Sequence, residues 1–556
     1  MAPPARYWPK GIPRSLNVPE RSVAENLAAS AARVPNKPAL IYHGATVTFA
    51  VLAAEVDRMA GWLVHGAGIT KGDRVLLYMQ NSPQFVIAFY AILRADAVVV
   101  PVNPMNRTAE LEHLATDTGA RIAFAGQELL PHAAPLLGGP LTRIVAATYA
   151  DMADPDCDIP LPEGLRDHAP ADYGIAGVVR WADAMAAGHA PGPLKAGPDD
   201  LAVIPYTSGT TGKQKGCMHT HRTTMWTLVG SLAWNPQGMG KPSLATLPFY
   251  HVTGMQNSMN GPIFYGETTV IMSRWDRAVA AELIRRHRVG RWRSISTMAI
   301  DLVNDPDVDR YDLSSLETIG GGGAAMPEPI ARRLKELTGL DYIEGYGMSE
   351  TMAGTHINPI DRPKRACLGV PVFDVDSRVV DPETLKELLV GEPGEILIHA
   401  PQNFIGYWNA PEATREAMVE LDGKTFVRTG DIGYVDAEGF FFITDRLKRM
   451  VNCAGLKVWP TEVEAAIHDH PAVAEVCVVG RPDPRRGESV VAHVVPRAPL
   501  EPAELIRWCR DRMAAYKCPR DVVLTDALPR LPSGKIDWRT VQDRDGMADD
   551  EGPERG

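Results

Sequence analysis

The chain has little that would tie it to a metal, a membrane or a nucleic acid. Its seven cysteines (157, 217, 367, 453, 477, 509 and 518) are scattered, with no Cys-x-x-Cys pair and no metal-ligand spacing. Such an odd, dispersed set reads as reduced intracellular thiols rather than a disulfide framework. Positive charge is in deficit: 57 Lys and Arg against 68 Asp and Glu leave a formal charge of −11. That excludes the basic field on which non-specific nucleic-acid binding depends. The most apolar long run, Phe85 to Val102, is broken by Arg94 and Asp96, so no segment reaches the uninterrupted length of a membrane span. Arg6 and Lys10 are not followed by a continuous apolar stretch, and no secretory signal is read there. Internal repeats and coiled-coil heptads are also missing. A cytoplasmic protein is the expectation.

What is present is an alternation of helix-period and short strand-like runs: Pro38–Tyr42, Thr48–Ala67, Arg74–Met79, Pro83–Arg94 and Val98–Val102. That alternation predicts an α/β fold with mixed or parallel sheets covered by helices. With 556 residues, the chain is too long for one core, and about two to four domains are expected. Ser22-x-x-Glu25 has the pattern of a capping box opening a helix to Arg33. Residues 151–200, rich in Pro, Gly, Ala and Asp, read as a surface excursion. Composition changes again near 445–450. Beyond it a strand at Lys448–Ala454, a helix capped by Thr461-x-x-Glu464, strands at Val473–Val479 and Ser489–Val495, a helix from Pro502 and a strand at Val522–Leu524 make one small α+β domain. The expected organisation is a large N-terminal domain over 1–445, a small C-terminal domain over 446–541 and a disordered acidic tail over 542–556.

The chemistry is concentrated in five patches. Tyr206-Thr-Ser-Gly-Thr-Thr-Gly-Lys-Gln-Lys-Gly216 follows the apolar Leu201–Pro205 and combines glycines, hydroxyls and two lysines. Bare backbone lets N–H groups converge, and hydroxyl and ammonium groups add donors and charge, which suits a polyphosphate. It is not a Walker A loop, because Thr207 stands where the first glycine belongs and Gln214 where a hydroxyl is required. A second patch, Ile319-Gly-Gly-Gly-Gly-Ala-Ala-Met-Pro327, offers backbone against which a planar ligand can lie, unless it is simply a tight strand–helix turn. In Glu344-Gly-Tyr-Gly-Met-Ser-Glu-Thr351, Tyr346 offers an aromatic face, and Ser349 and Glu350 a hydroxyl and a hard carboxylate suited to phosphate and Mg²⁺. Asp431, on the glycine turn of Arg428-Thr-Gly-Asp-Ile-Gly433, and Arg446 could take a ribose, though a turn carboxylate is the plainer reading. Leu531-Pro-Ser-Gly-Lys-Ile536 presents a single lysine on a Pro/Gly loop, on the far side of the composition change.

In this order, these patches resemble the acyl-adenylate-forming superfamily of acyl-CoA synthetases, peptide-synthetase adenylation domains and firefly-type luciferases, over about residues 22–540. Pro248-Phe-Tyr-His-Val-Thr-Gly-Met255, the four-glycine run and Trp459-Pro-Thr-Glu-Val-Glu464 make it most similar to fatty-acyl and related acid:CoA ligases. The resemblance implies that Thr207, Ser208, Gly209, Thr210, Thr211, Gly212 and Lys215 hold the ATP β- and γ-phosphates. It implies that Gly322, Gly323 and Ala324 flank adenine, that Tyr346 stacks on it beside Gly347, and that Ser349 meets the α-phosphate. Glu350 is the implied Mg²⁺ ligand, Asp431 and Arg446 the ribose pair, and Lys535 the adenylation lysine. Lys448 falls at the hinge on which the small domain swings, and Ala454 and Gly455 leave room for the pantetheine of coenzyme A. His251 is placed at the mouth of an acyl pocket that includes Trp226, Val252, Met255, Ala325 and Met348.

The implied reaction joins a carboxylate to AMP with loss of pyrophosphate, then passes the acyl group to CoA. ATP, Mg²⁺ and CoA are the expected cofactors and co-substrates. No nucleic-acid partner is expected, and a homodimer is possible. The pocket residues are apolar or small, with no Arg or Lys placed to anchor a second carboxylate, which favours a largely apolar monocarboxylic acid, fatty ahead of aromatic. Transfer to a carrier protein, aryl-CoA ligation and a catalytically silent nucleotide-binding scaffold are the competing readings. Departures from the family pattern are Gln214 for proline, Ser349 for threonine, Arg449 for an acidic residue and Asp96 for glycine. The His219-x-His221 pair is read as structural rather than metal-binding, and no nucleophilic role is read for Cys453.

Overall fold

Strands of Val, Leu, Ile and Ala, apolar on both faces, belong in the middle of parallel sheets covered by helices, and two such sheets form. The structure is a computed structural model that describes residues 7–207, 214–323, 326–453, 456–483, 487–530 and 536–547. Its chain divides into two compact units. The first comprises Met1–Ser377, Ile398–Val427 and Glu438–Phe440, and the second Arg378–Leu397, Arg428–Ala437 and Phe441–Gly556. The division is therefore not a single cut near residue 445, because two earlier segments group with the C-terminal residues.

In the first unit, a seven-stranded sheet runs in the order His219–Thr220, Leu201–Val203, Val98–Pro101, Arg74–Tyr78, Ile122–Gly126, Arg143–Ala147, Val178–Arg180. All its pairs are parallel except the first. Beside Arg74–Tyr78, the helix Pro83–Arg94 starts on the Ser82 hydroxyl, which accepts the Phe85 amide at 3.1 Å, with proline at its first turn. It is apolar on every side, and all residues from Pro83 to Leu93 are buried, as an all-round hydrophobic helix must be.

That helix turns into the next strand at Asp96, which holds φ +60°. Asp tolerates the left-handed region better than most residues. Its Oδ1 accepts the amides of Lys195 and Ala196, both at 2.7 Å, which is the structural reason for an acid where the family has glycine. The 151–200 stretch is also more than a surface excursion. It supplies the edge strand Val178–Arg180 and the helix Trp181–Ala186, and it buries Ile159, Leu161 and Leu165. Isolated apolar residues among the Pro and Gly do this, and they have no periodicity to announce it.

The second sheet of this unit has nine strands, in the order Val370–Pro371, Ala353–Ile357, Tyr342–Met348, Thr318–Gly322, Arg291–Ile295, Ser243–Ala245, Thr269–Ile271, Pro38–Tyr42, Ala45–Thr48. The strands from Tyr342–Met348 to Pro38–Tyr42 are parallel, with antiparallel strands at both edges. The helix predicted from Ser22 starts at Ala24. Glu25 accepts the Ser22 amide at 2.8 Å, and the Ser22 hydroxyl accepts the Ala24 amide at 3.3 Å.

In the second unit the C-terminal part is α+β. The antiparallel pair Val473–Asp483 and Gly487–Pro496 is flanked by Val451–Cys453, Leu456–Val458 and Asp521–Leu524. The helices Pro460–His468 and Pro502–Arg510 bury Val463, Ile467 and Leu505 against this sheet. Only Val451–Cys453 of the expected strand at 448–454 is extended, because Leu447–Arg449 forms a helical turn. Thr461 is inside its helix rather than at the cap; its amide donates to Asp445 Oδ2 at 2.9 Å.

The tail expectation needs correction as well. Residues 542–547 are not loose but complete the helix Trp538–Met547. Asp545 there is buried, accepting from Arg481 Nε and Nη2 at 2.8 and 2.7 Å. Acidic composition suggests solvation, but a half-buried arginine on the neighbouring strand supplies the partner.

Candidate active site

Ligands of open α/β sheets gather at the carboxyl ends of parallel strands, and here three of four neighbouring ends carry sequence-predicted residues. Ser243–Ala245 leads to His251, Arg291–Ile295 lies next to it, Thr318–Gly322 delivers Gly322 and Gly323, and Tyr342–Met348 delivers Tyr346, Gly347 and Met348. Ser349 and Glu350 come next, in a helical turn.

The glycine run is part of the sheet itself. A Cβ on Gly321 would strike the Ser294 carbonyl oxygen, and on Gly320 or Gly322 the carbonyls of Ile343 or Gly345. A Cβ on Gly347 would strike the Ala353 carbonyl. Neither a tight turn nor a ligand is needed to account for these glycines; the neighbouring backbones already exclude a side chain. Gly323, at φ +89°, ends the strand, and Glu344 anchors the chain at Met326 by accepting its amide at 2.8 Å. Desolvation raises the pKa of this buried carboxyl. Sequence reasoning gave Glu344 no role; its signal was a charged residue inside an otherwise apolar strand.

Around Glu350 the structure assembles three segments. Thr207 and Lys215 pair in the two-stranded ribbon Tyr206–Thr207 and Lys215–Gly216, on either side of residues 208–213. The next residues are laced to segment 404–408: Met218 donates to the Gly406 carbonyl (2.9 Å), Ile405 to Met218 (3.0 Å) and Trp408 to Gly216 (2.8 Å). The Phe404 amide donates to the Glu350 carbonyl (2.8 Å), and the Tyr407 hydroxyl donates to Glu350 Oε1 (2.6 Å). Lys215 Nζ lies 5.2 Å from the centroid of the same tyrosine ring. Tyr407 thus stands between a carboxylate and an ammonium, and sequence reasoning missed it. Burial first and Glu350 second raise its pKa, and the same two causes raise that of the buried Cys217 thiol.

The two histidines of the H-x-H serve as struts. His219 Nε2 donates to the Ser349 carbonyl at 2.7 Å, fixing the turn that carries Glu350. His221 Nδ1 accepts the Val23 amide at 3.0 Å. Desolvation lowers both imidazoles to about 4. His251 differs: its ring is accessible yet walled by protein, Nδ1 accepts the Thr253 amide at 3.3 Å, and desolvation lowers its pKa. Behind it Val252 and Met255 are fully buried, whereas Trp226 and Met348 are half-buried. Trp226 Nε1 has no protein partner among the described residues.

In the second unit, Asp431 and Arg446 face each other in register on paired strands, with Nε 2.5 Å from Oδ1. Asp431 is buried and Arg446 exposed. Arg449 lies largely inside, paired with Glu464 and bonded to the Val478 carbonyl at 3.3 Å. Ser208, Gly209, Thr210, Thr211, Gly212, Ala324, Ala325, Ala454, Gly455 and Lys535 lie outside the described residues, as does the side chain of Lys448. Cys453 is buried in the small core of this unit.

A divalent ion can be tested against this donor set. Mg²⁺ asks for one or two carboxylates and takes its other ligands from phosphate and water. Glu350 supplies one, with Oε1 oriented by Tyr407, so the residues present fit such an ion. Among the described residues no cluster of three or more His, Cys, Asp or Glu could hold a metal by itself. No described helix is long and apolar enough to cross a membrane.

The chain matches known proteins along most of its length. A family model described as AMP-binding enzyme matches residues 27–408, and its AMP-binding enzyme C-terminal domain matches residues 462–535. A long-chain-fatty-acid–CoA ligase of Bacillus subtilis is 34% identical over 543 residues, 95% of each chain. A feruloyl-CoA synthase of Amycolatopsis is 33% identical, covering 90% of this chain and 94% of its own. Among solved structures, ATP-bound MatB from Rhodopseudomonas palustris superposes with a TM-score of 0.79 at 27% identity, over 94% of this chain and 98% of that one.

Proposed function

Because the chain belongs to the AMP-binding enzyme family and is an AMP-forming acid–thiol ligase, we propose that it activates a largely apolar monocarboxylic acid, a fatty acid first, and transfers it to coenzyme A. The observation that carries this reading is the convergence at Glu350: the phosphate ribbon, the Tyr407 segment and the bare strand ends meet there. In the first step a carboxylate oxygen bonds to the α-phosphorus of ATP and the bond to the β-phosphate oxygen breaks, releasing pyrophosphate. Two anions must meet, so charge is the obstacle. Thr207, the loop from Ser208 to Gly212 and Lys215 grip the departing β- and γ-phosphates, Ser349 meets the α-phosphate, and Lys535 supports the reacting oxygens. Mg²⁺ bound at Glu350 would offset further negative charge. Gly322, Gly323, Ala324 and Tyr346 receive adenine, and Asp431 with Arg446 the ribose.

In the second step the CoA thiolate attacks the acyl carbonyl and AMP leaves. The lysine loop must withdraw for this, which a swing at Lys448 would provide, with Ala454 and Gly455 leaving a path for pantetheine. The half-buried thioether of Met348 supports an apolar acid, as do relatives named for long-chain fatty acids. An aryl acid is the second reading. It is favoured by the half-buried Trp226, whose Nε1–H could donate to an oxygen on the ring, and by relatives named feruloyl-CoA synthase.

Acid-dependent pyrophosphate release tests the assignment, with Lys535→Ala as control. Loss of roughly 10²–10³ in rate is expected for one such donor. ATP binding without acid-dependent release would sink the reading. Ranking fatty acids, ferulate and dicarboxylates by kcat/KM separates the two acids, and a preference for dicarboxylates would refute both.

A further inference from the structure

The residues on either side of 531–535 make contacts that sequence reasoning did not anticipate. On one side Arg530 forms a β-bridge with Ile536, and its guanidinium reaches Glu475 on strand Val473–Asp483 at 2.6 Å. On the other, the Asp537 amide donates to the Pro529 carbonyl at 2.8 Å, while its carboxylate accepts the Thr540 hydroxyl at 2.7 Å and opens the helix Trp538–Met547.

Asp545, at the far end of that helix, is 3% exposed. It accepts two bonds from Arg481 (2.8 and 2.7 Å) and one from His493 Nε2 (2.9 Å), and Arg481 also reaches Asp521 at 2.8 Å. An anion in the last turn of a helix opposes the helix dipole, so helix stability does not explain this carboxylate. Its bonds run instead to the two long strands, Val473–Asp483 and Gly487–Pro496, on which the helix lies. Val541 packs beside it against Cys477, Val479 and Val491.

We infer that Asp545 is a positioning residue for adenylation: it locks the helix to the sheet and thereby fixes Ile536 and Asp537, the residues that directly follow Lys535 in the chain. The inference rests on the proposed role of Lys535. The lysine must reach its reacting oxygens in one half-reaction and be gone in the other, so only the first demands an exact loop position. Small displacements of a catalytic group cost up to about 100-fold.

The test separates the half-reactions. Asp545→Asn in the full-length protein is assayed for acid-dependent pyrophosphate release, and separately for thioester formation from CoA and chemically made acyl-adenylate. Release should fall roughly 10- to 100-fold with the KM for ATP nearly unchanged, and thioester formation should stay within about twofold. Asp545→Glu should recover part of the loss. Lower stability alone would reduce the active fraction and both half-reactions together, and that proportional loss overturns the inference, as does no loss at all.

Glu475→Gln loosens the opposite flank at a solvent-exposed pair and endangers folding less. It should give a smaller loss of the same kind, confined to release, and an equal loss in both steps would again count against the inference. Lys535→Ala runs in parallel. If it too releases pyrophosphate normally, the role of Lys535 falls and the inference with it; if it is inactive while Asp545→Asn is normal, only the inference falls.

Discussion

Acidification should destabilise the first unit through His219 and His221. Both imidazoles are buried and neutral, lowered by desolvation from 6.5 to about 4. Their tautomers are set by their partners: the Ser349 carbonyl requires a proton on His219 Nε2, and the Val23 amide requires a free lone pair on His221 Nδ1. Between pH 6.5 and 4 the unfolded chain binds a proton at each site that the folded chain refuses. Stability therefore falls as pH falls, and it is fully present only above the unfolded value. At about 1.36 kcal/mol per pH unit, the interval from 6.5 to 5 costs about 2 kcal/mol per histidine and about 4 kcal/mol for the pair. Urea unfolding followed by tryptophan fluorescence at pH 7 and pH 5 measures it. The comparison is a double variant, His219→Gln with His221→Asn, which keeps one donor and one acceptor in place but cannot titrate. It should lose about 4 kcal/mol less than the parent over the same interval. An equal loss in parent and variant would refute the reasoning.

Three further outcomes rest on single contacts. Tyr407→Phe removes the hydroxyl that orients Glu350 Oε1 and should slow acid-dependent pyrophosphate release about 10- to 100-fold; an unchanged rate would show that Glu350 does not depend on it. Asp96→Ala gives up two amide partners at a left-handed position and should cost about 2–3 kcal/mol by thermal or urea unfolding. Asp96→Gly should cost less, and a neutral Asp96→Ala would contradict the account. Gly347→Ala should destabilise the ligand-free protein by roughly 1–3 kcal/mol or more, because its methyl would strike the Ala353 carbonyl. Lost ATP binding at unchanged stability would show that the glycine serves the ligand alone.

Much of the site was legible because its chemistry depends on residue types at fixed spacing. Glycines, hydroxyls and lysine in Tyr206–Gly216, and Ser349-Glu350 after a glycine-flanked tyrosine, advertise phosphate and metal chemistry wherever they occur. Tyr407 was not legible. It comes from a segment nearly sixty residues downstream and is brought to the site by backbone bonds to Gly216, Met218 and Glu350. The glycine run was legible as important but not for the right reason, since a sequence cannot show that a neighbouring carbonyl occupies the place of a Cβ.

The helix at 538–547 shows the same limit from another side. Acidic composition is a statement about average solvation, whereas Asp545 is decided by one arginine more than sixty residues earlier in the chain. Alternating apolar periods, turn residues and clustered donors, all short-range properties, determined the α/β class and the order of elements by themselves. Which carbonyl excludes a side chain, which imidazole stays neutral and which carboxylate ties the helix Trp538–Met547 to its sheet were decided only by the tertiary structure. Those outcomes depend on desolvation and on partners that folding alone brings within reach.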